Sequence, residues 1–194
     1  MEIDNFDLII PMLEFDNSDY FYYLQILQRK KENEQLGSNS RVIRNYYIKS
    51  IEHLLLRKNE IIKTCNTFNA RAMFRLNRRS FEKVSFKAIQ NIANSIANRE
   101  FEFCNKSYDR ACGNGHIEKR AKWIIDIDEI GRQVNDMILF IERQCEPICE
   151  KYINIIPSKN GFHIITYPFD VQYFKKSYDN IEIHKDNPTN LYIP

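Results

Sequence analysis

No stretch of the chain approaches the roughly 20 consecutive apolar residues that a membrane-spanning helix needs. The segment from Met1 to Glu14 is acidic, where a secretory signal would open on basic residues. A cytoplasmic setting, in a bacterium or a phage-infected cell, is therefore expected, with no membrane partner. The formal net charge is only +2, which excludes a polybasic nucleic-acid coat. There is no internal repeat and no low-complexity tract. Glycine is scarce, 5 residues in 194, beside abundant Asn, Lys and Ile, a balance that points to an AT-rich genome. The cysteines match no standard zinc motif. Cys145 and Cys149 are spaced i, i+4 and would share one face of a helix, Cys112 and His116 bracket a Gly-Asn-Gly turn, and Cys65 and Cys104 stand apart. Zinc is set aside, and reduced, partly buried thiols are expected.

What is present fits a folded domain. Hydrophobic residues make up 43% and aromatics 13% of the chain, more than a disordered segment carries. A length of 194 residues suffices for one domain with a sizeable core. The pattern predicts a helix over 18–35, capped by Ser18 and ended by Gly37, as an N-terminal helical appendage occupying residues 1–40. Residues 41–194 then form the main domain. A strand is expected over 42–51, a helix over 58–68, a strand over 70–76, and a helix from Ser80 as its cap to about Asn98. A polar loop over 104–120 and a helix from 129 to about 151 follow, and short strands fill the rest. The fold class is α+β, a mixed sheet with flanking helices.

The most informative segment runs from Lys122 to Asp128. Its residues are strand formers, and alternation puts Asp126 and Asp128 on one face while Trp123, Ile125 and Ile127 point the other way into a core. Two adjacent carboxylates repel unless a cation lies between them, and hard oxygen ligands of this kind suit Mg²⁺ or Mn²⁺. The plain alternative is a strand end whose acids face water.

Downstream, Ser158, Lys159, Asn160 and Gly161 read as a turn that feeds a β-branched strand from Phe162 to Thr166. His163 opens that strand. Gly161 allows close backbone approach by a ligand, and Lys159 adds positive charge beside exposed backbone N–H groups, together a phosphate cradle. Taken alone, His163 would more often be a structural strand histidine.

A second basic strand precedes these motifs. Alternation over 69–79 puts Arg71, Met73, Arg75 and Asn77 on one face, against Ala72, Phe74 and Leu76 on the other. Two arginines on one strand face need anions, or else they protect an edge. Arg78, Arg79, Lys83 and Lys87 extend the charge into a patch that suits a nucleic-acid backbone, or a solvated surface.

The order hydrophobic-Asp-hydrophobic-Asp, then a small residue two before His in a strand, then a later Asp resembles the archaeo-eukaryotic primase superfamily, in particular compact primase-polymerases of phages and mobile elements. Asp126 and Asp128 match its first motif, Gly161 and His163 its second, and Asp186 its third, with Asp170 and Asp179 as rivals for that last role. The resemblance covers roughly residues 40–194. It implies an RRM-like, primase-type catalytic sheet and nucleotidyl transfer on a single-stranded DNA template. Asp126, Asp128 and Asp186 would hold Mg²⁺ or Mn²⁺, and Ser158, Lys159, Gly161, His163, Arg71 and Arg75 would bind the nucleoside triphosphate. A replicative helicase is the implied protein partner. Two other readings of the same acids are a catalytically degenerate nucleotide- or nucleic-acid-binding module and a metal-dependent nuclease.

Overall fold

The computed structural model describes residues 2–37, 39–128 and 134–194. Its first half builds one antiparallel sheet. After a short β1 (Ile3–Asp4) and α1 (Phe6–Ile9), the chain enters β2 (Tyr20–Gln28), returns as β3 (Arg41–Ile48), and crosses through α2 (Ile51–Phe68) to β4 (Arg71–Phe74). The two-residue β5 (Arg79–Ser80) leads into α3 (Phe81–Ala97) and α4 (Ser107–Cys112). The strand order is β1, then the C-terminal β10 (Thr189–Ile193), then β4, β2 and β3, with β5 pairing the start of β2.

β2 overturns the expected N-terminal helix and with it the separate appendage. It lies between β3 and β4, at the heart of the sheet. Alternation governs its side chains. Tyr22, Leu24 and Ile26 enter one core, beside Leu54 and Ile61 of α2. Phe21 and Tyr23 enter a second, beside Val84 and Ala88 of α3. Aromatic and β-branched residues buried on both faces belong to a central strand. The cap and stop residues that suggested a helix cannot offset burial worth about 1.5–3 kcal/mol per large apolar side chain.

Helix boundaries follow their caps. Ser50 accepts a hydrogen bond from the His53 N–H at 3.0 Å, so α2 starts seven residues earlier than the apolar pattern alone indicated, and it ends at Asn69 with φ +45°. Ser80 caps α3 by accepting from the Lys83 N–H, as the sequence predicts. The loop expected over 104–120 begins instead with helical turns over 101–112.

The second half is a β-α-β-β-α-β unit: β6 (Trp123–Ile127), α5 (Val134–Gln144), β7 (Tyr152–Pro157), β8 (Phe162–Thr166), α6 (Val171–Lys175) and β9 (Glu182–His184). Its sheet order is β7-β8-β6-β9. The residues before Val134 that were expected to be helical lie outside the described residues, and α5 stops at Gln144 rather than near Lys151. Lys151 explains the stop. Its ammonium is fully buried and donates to the carbonyls of Ile141, Cys145 and Cys149 at 3.0, 3.1 and 3.2 Å, satisfying acceptors that a helix end leaves open. Cys145 is buried while Cys149 is exposed, so the pair does not share a face, and all five cysteines are free.

Among the described residues every strand pair is antiparallel. The class is α+β with two antiparallel sheets, in place of the mixed sheet expected. The second sheet packs one face on the first through Ile124, Ile156 and Ile165. Its other face carries Ile125, Ile127 and Ile164 against Met137 and Ile141 of α5 and Phe174 of α6. Asn5 pins the seam, its amide donating to Pro157 and Asn190 carbonyls at 2.9 and 2.8 Å. No helix among the described residues is long and apolar enough to cross a membrane.

Candidate active site between the two sheets

A cavity of about 650 Å³ opens where the sheets meet. The alternation of β6 aims Ile124, Asp126 and Asp128 into it, while Trp123, Ile125 and Ile127 pack toward α5. Ser158, Lys159 and His163 line it from the β7–β8 hairpin, and Arg71 faces them from β4 in the opposite sheet. Arg71 therefore lines the cavity from the other sheet and not from a strand beside the acids.

Register explains how the motifs meet. Asp126 pairs with His163 on β8 and with Glu182 on β9. The His163 Nε2 lies 3.4 Å from Asp126 Oδ1, and its Nδ1 is 2.8 Å from the Thr189 hydroxyl of β10. Burial pushes the imidazole pKa below its ordinary value, with Asp126 opposing and His184 adding to the shift. The Asp126 carboxylate can only accept and the Thr189 hydroxyl can donate or accept, so each ring nitrogen faces a group able to pair with it.

Gly161 has a different reason from the one its sequence position suggests. A Cβ there would sit 1.9 Å from the Ile127 carbonyl oxygen and 3.1 Å from Asp128 Cα. The backbone that approaches it is the chain's own β6, at the acid pair, so Gly161 lets the hairpin close onto the acids rather than admitting a ligand. The Ser158 N–H donates to the Gly161 carbonyl at 2.9 Å and closes the turn.

Both cations and acids line the cavity. Asp126, Asp128 and Glu182 lie on or just past strands of the second sheet, Arg71 lies on β4 of the first, Arg29 and Lys31 lie in the turn that follows β2, and Lys159 lies at the hairpin tip. One further acid pairs with two of these cations. The Glu32 carboxylate accepts from Arg71 Nε at 2.9 Å, makes a second bond to its Nη2, and lies 3.2 Å from Lys159 Nζ. Burial alone would raise the Glu32 pKa, but these hydrogen bonds outweigh it and hold the carboxyl below its ordinary value. Asn33 fixes the segment, donating to the Arg29 and Asn69 carbonyls at 3.0 and 3.1 Å.

Several expected site residues are elsewhere. The Asp186 carboxylate accepts from Arg79 Nη2 at 2.8 Å and from Asn77 Nδ2 at 3.3 Å, while Arg75 donates to the Asp186 carbonyl. Asp186 and Arg75 thus form one half-buried network outside the cavity. Arg79 is fully buried, and Arg78 is tied to Glu118 at 2.6 Å and to Asp16. Neither offers a free charge to a nucleic-acid backbone, and only Lys83 and Lys87 of that patch are exposed, on α3. Asp170 caps α6, accepting from the Gln172 and Tyr173 N–H groups at 2.9 and 3.1 Å, and Asp179 accepts from the Asn180 N–H.

Sequence reasoning passed over Glu32, Glu182 and His184. His184 Nε2 stands 3.4 Å from Glu182 Oε2 and 3.9 Å from Asp126 Oδ2. The Glu182, Ile183, His184 alternation was a readable signal, because period 2 puts the acid and the imidazole on one face as it does Asp126 and Asp128. The Glu32 contacts span 39 and 127 residues and leave no local trace.

Among the described residues no three carboxylate, imidazole or thiol groups are spaced to close on one ion. The donor chemistry nevertheless fits Mg²⁺ or Mn²⁺. Such ions are commonly held by one or two carboxylates and complete their shell with water and substrate phosphate, and Asp126 and Asp128 open together onto the cavity. No family model, no curated protein and no solved structure matches the chain.

Proposed function

We propose that the chain is a primase-polymerase-type nucleotidyltransferase that adds nucleotides on a single-stranded DNA template. The observation that carries this reading is that acids and cations line one cavity together: Asp126, Asp128 and Glu182 with Arg71, Lys159, Arg29 and Lys31. A metal–nucleoside triphosphate needs both kinds of group, oxygen donors for the cation and several positive charges for the phosphates. The β-α-β-β-α-β connectivity with sheet order β7-β8-β6-β9 is that of the split βαβ units to which RRM-like sheets belong. We read it as the primase-type catalytic sheet.

Asp126 and Asp128 would hold the divalent ion, with Glu182 taking the place first assigned to Asp186. When bound, that ion neutralises phosphate charge and acidifies the attacking hydroxyl. Lys159 and Arg71 orient the triphosphate once its oxygens displace Glu32. His163, fixed through Thr189, offers its Nε2–H to a phosphate oxygen in place of Asp126. The 3′-hydroxyl gives its proton to water, its oxygen attacks the α-phosphorus, the α–β bridging P–O bond breaks, and pyrophosphate departs.

A second reading is a nucleotide-binding module without catalysis, in which Arg71 and Lys159, which already hold the Glu32 carboxylate, hold the phosphates. Template-dependent extension of a primer with Mg²⁺ or Mn²⁺ separates the two. The enzyme extends it, and the binder retains triphosphate and strand without incorporation.

A further inference from the structure

A second cleft, of about 420 Å³, lies at the opposite end of β6 and is lined by Tyr20, Arg78, Lys119, Arg120, Lys122 and Tyr167, with Glu14 and Glu118 beside them. Lys122 lies six residues before Asp128, roughly 20 Å away at the rise of a strand, so this space is separate from the cavity of Asp126.

Lys122 is the informative residue. Asn77 grips its backbone from both sides, accepting from its N–H at 2.7 Å and donating to its carbonyl at 3.0 Å. The residue is only 7% exposed, yet among the described residues its ammonium makes no hydrogen bond and no ion pair. Its stem is buried while its nitrogen keeps contact with solvent in the cleft. Burial lowers its pKa, which Glu14 and Glu118 oppose and Arg78 reinforces. The acids close by pair with Arg78 instead. Glu118 is held by Arg78 at 2.6 and 3.2 Å, and Glu14 lies 3.7 Å from the same guanidinium. Lys119 and Arg120 are exposed at the rim, so the cleft carries positive charge that the protein leaves uncompensated.

Its walls are aromatic. The Arg120 guanidinium sits 4.0 Å from the Tyr167 ring centroid and that of Arg78 5.5 Å from Tyr20. Cations interleaved with half-buried rings recognise a phosphate joined to a flat base.

We propose that this cleft binds the phosphate group of a nucleotide or of a nucleic-acid strand, with Lys122 at its floor, Lys119 and Arg120 at its rim, and Tyr20 and Tyr167 against the sugar and base. The proposal does not depend on the chemistry read at Asp126.

The test is acylation of Lys122 by an amine-reactive ester, followed by peptide mass spectrometry on the full chain, with AMP, adenosine, inorganic phosphate or oligothymidylate present. AMP or the oligonucleotide should slow labelling of Lys122 where adenosine does not. Protection by AMP identifies a nucleotide as the ligand, and protection by oligothymidylate alone identifies a strand backbone. The effect should persist in Lys159→Ala, which separates this cleft from the other cavity. Replacing the exposed pair, Lys119→Ala with Arg120→Ala, should weaken protection about tenfold, the effect of losing a charge-assisted contact. Equal protection by adenosine and AMP, or none by any phosphate-bearing probe, overturns the proposal.

Discussion

Adding one methyl group at Gly161 should damage both the fold and the acid pair. The new Cβ would stand 1.9 Å from the Ile127 carbonyl oxygen and 2.9 Å from its carbon, whereas a carbon–oxygen contact relaxes at roughly 3.3 Å. Neither partner is a flexible side chain, so the hairpin must retreat from β6 by more than an ångström. That retreat strains the last rung of the β6–β8 ladder, where Ile127 faces Phe162 and Asp126 faces His163. Overpacking costs about 1–3 kcal/mol, and a lost ladder hydrogen bond adds about 1 kcal/mol. A total of about 2–4 kcal/mol lowers the melting temperature of a domain of this size by roughly 4–16 °C. Circular dichroism melts of Gly161→Ala and wild type measure it. Gly37→Ala is the control, since nothing lies within 4 Å of the added atom there, and its melt should stay within about 0.5 kcal/mol of wild type. A Gly161→Ala protein that melts like wild type would refute the close-approach explanation.

Lys151→Met should lower stability by about 3 kcal/mol or more in urea titrations, because it orphans three carbonyls bound at 3.0–3.2 Å and each unsatisfied acceptor costs about 1–3 kcal/mol; a loss below about 1 kcal/mol contradicts that role. The folded His163 pKa lies below its unfolded value of 6.5, so as pH falls below 6.5 the unfolded chain takes up a proton that the folded chain does not. Stability should therefore decline toward acid until the folded ring itself protonates. His163→Gln should flatten that decline, and an unchanged pH profile would contradict it. Glu32→Gln should tighten Mn²⁺–triphosphate binding about tenfold by freeing Arg71 and Lys159 from a resident anion, read by calorimetry; unchanged or weaker affinity means that Glu32 does not compete with phosphate.

Local pattern exposed some of this molecule and concealed the rest. The two faces of β6 and the cap at Ser80 were legible because each depends on neighbours a few residues apart. So was the turn that places His163 at the start of β8. The strand Tyr20–Gln28 was not, since its stabilisation comes from β3, β4 and two cores contributed by distant segments, while nearby cap residues favoured a helix. Charge clusters misled in a similar way. Arg75, Arg78 and Arg79 looked like a surface patch, but their partners Asp186, Glu118 and Asp16 lie 40 to 111 residues away in sequence. The same network holds Asp186 away from the cavity, whereas Glu182, one strand over from Asp126, lines it.

Incorporation of nucleotides by acid-to-amide variants tests the central claim most directly. Asp126→Asn and Asp128→Asn keep the shape of the cavity floor while removing the charge that would hold a divalent ion. Each should reduce Mn²⁺-dependent primer extension on single-stranded DNA by about 10³-fold or more, the scale expected when transition-state electrostatics are lost. Oligothymidylate binding should stay close to wild type, because strand affinity rests on cations. Glu182→Gln should fall in the same direction, and Asp186→Asn should change melting temperature more than rate per folded molecule. Extension that survives both Asp126→Asn and Asp128→Asn, or a wild-type protein that binds strand and triphosphate without extending any primer, would contradict the assignment.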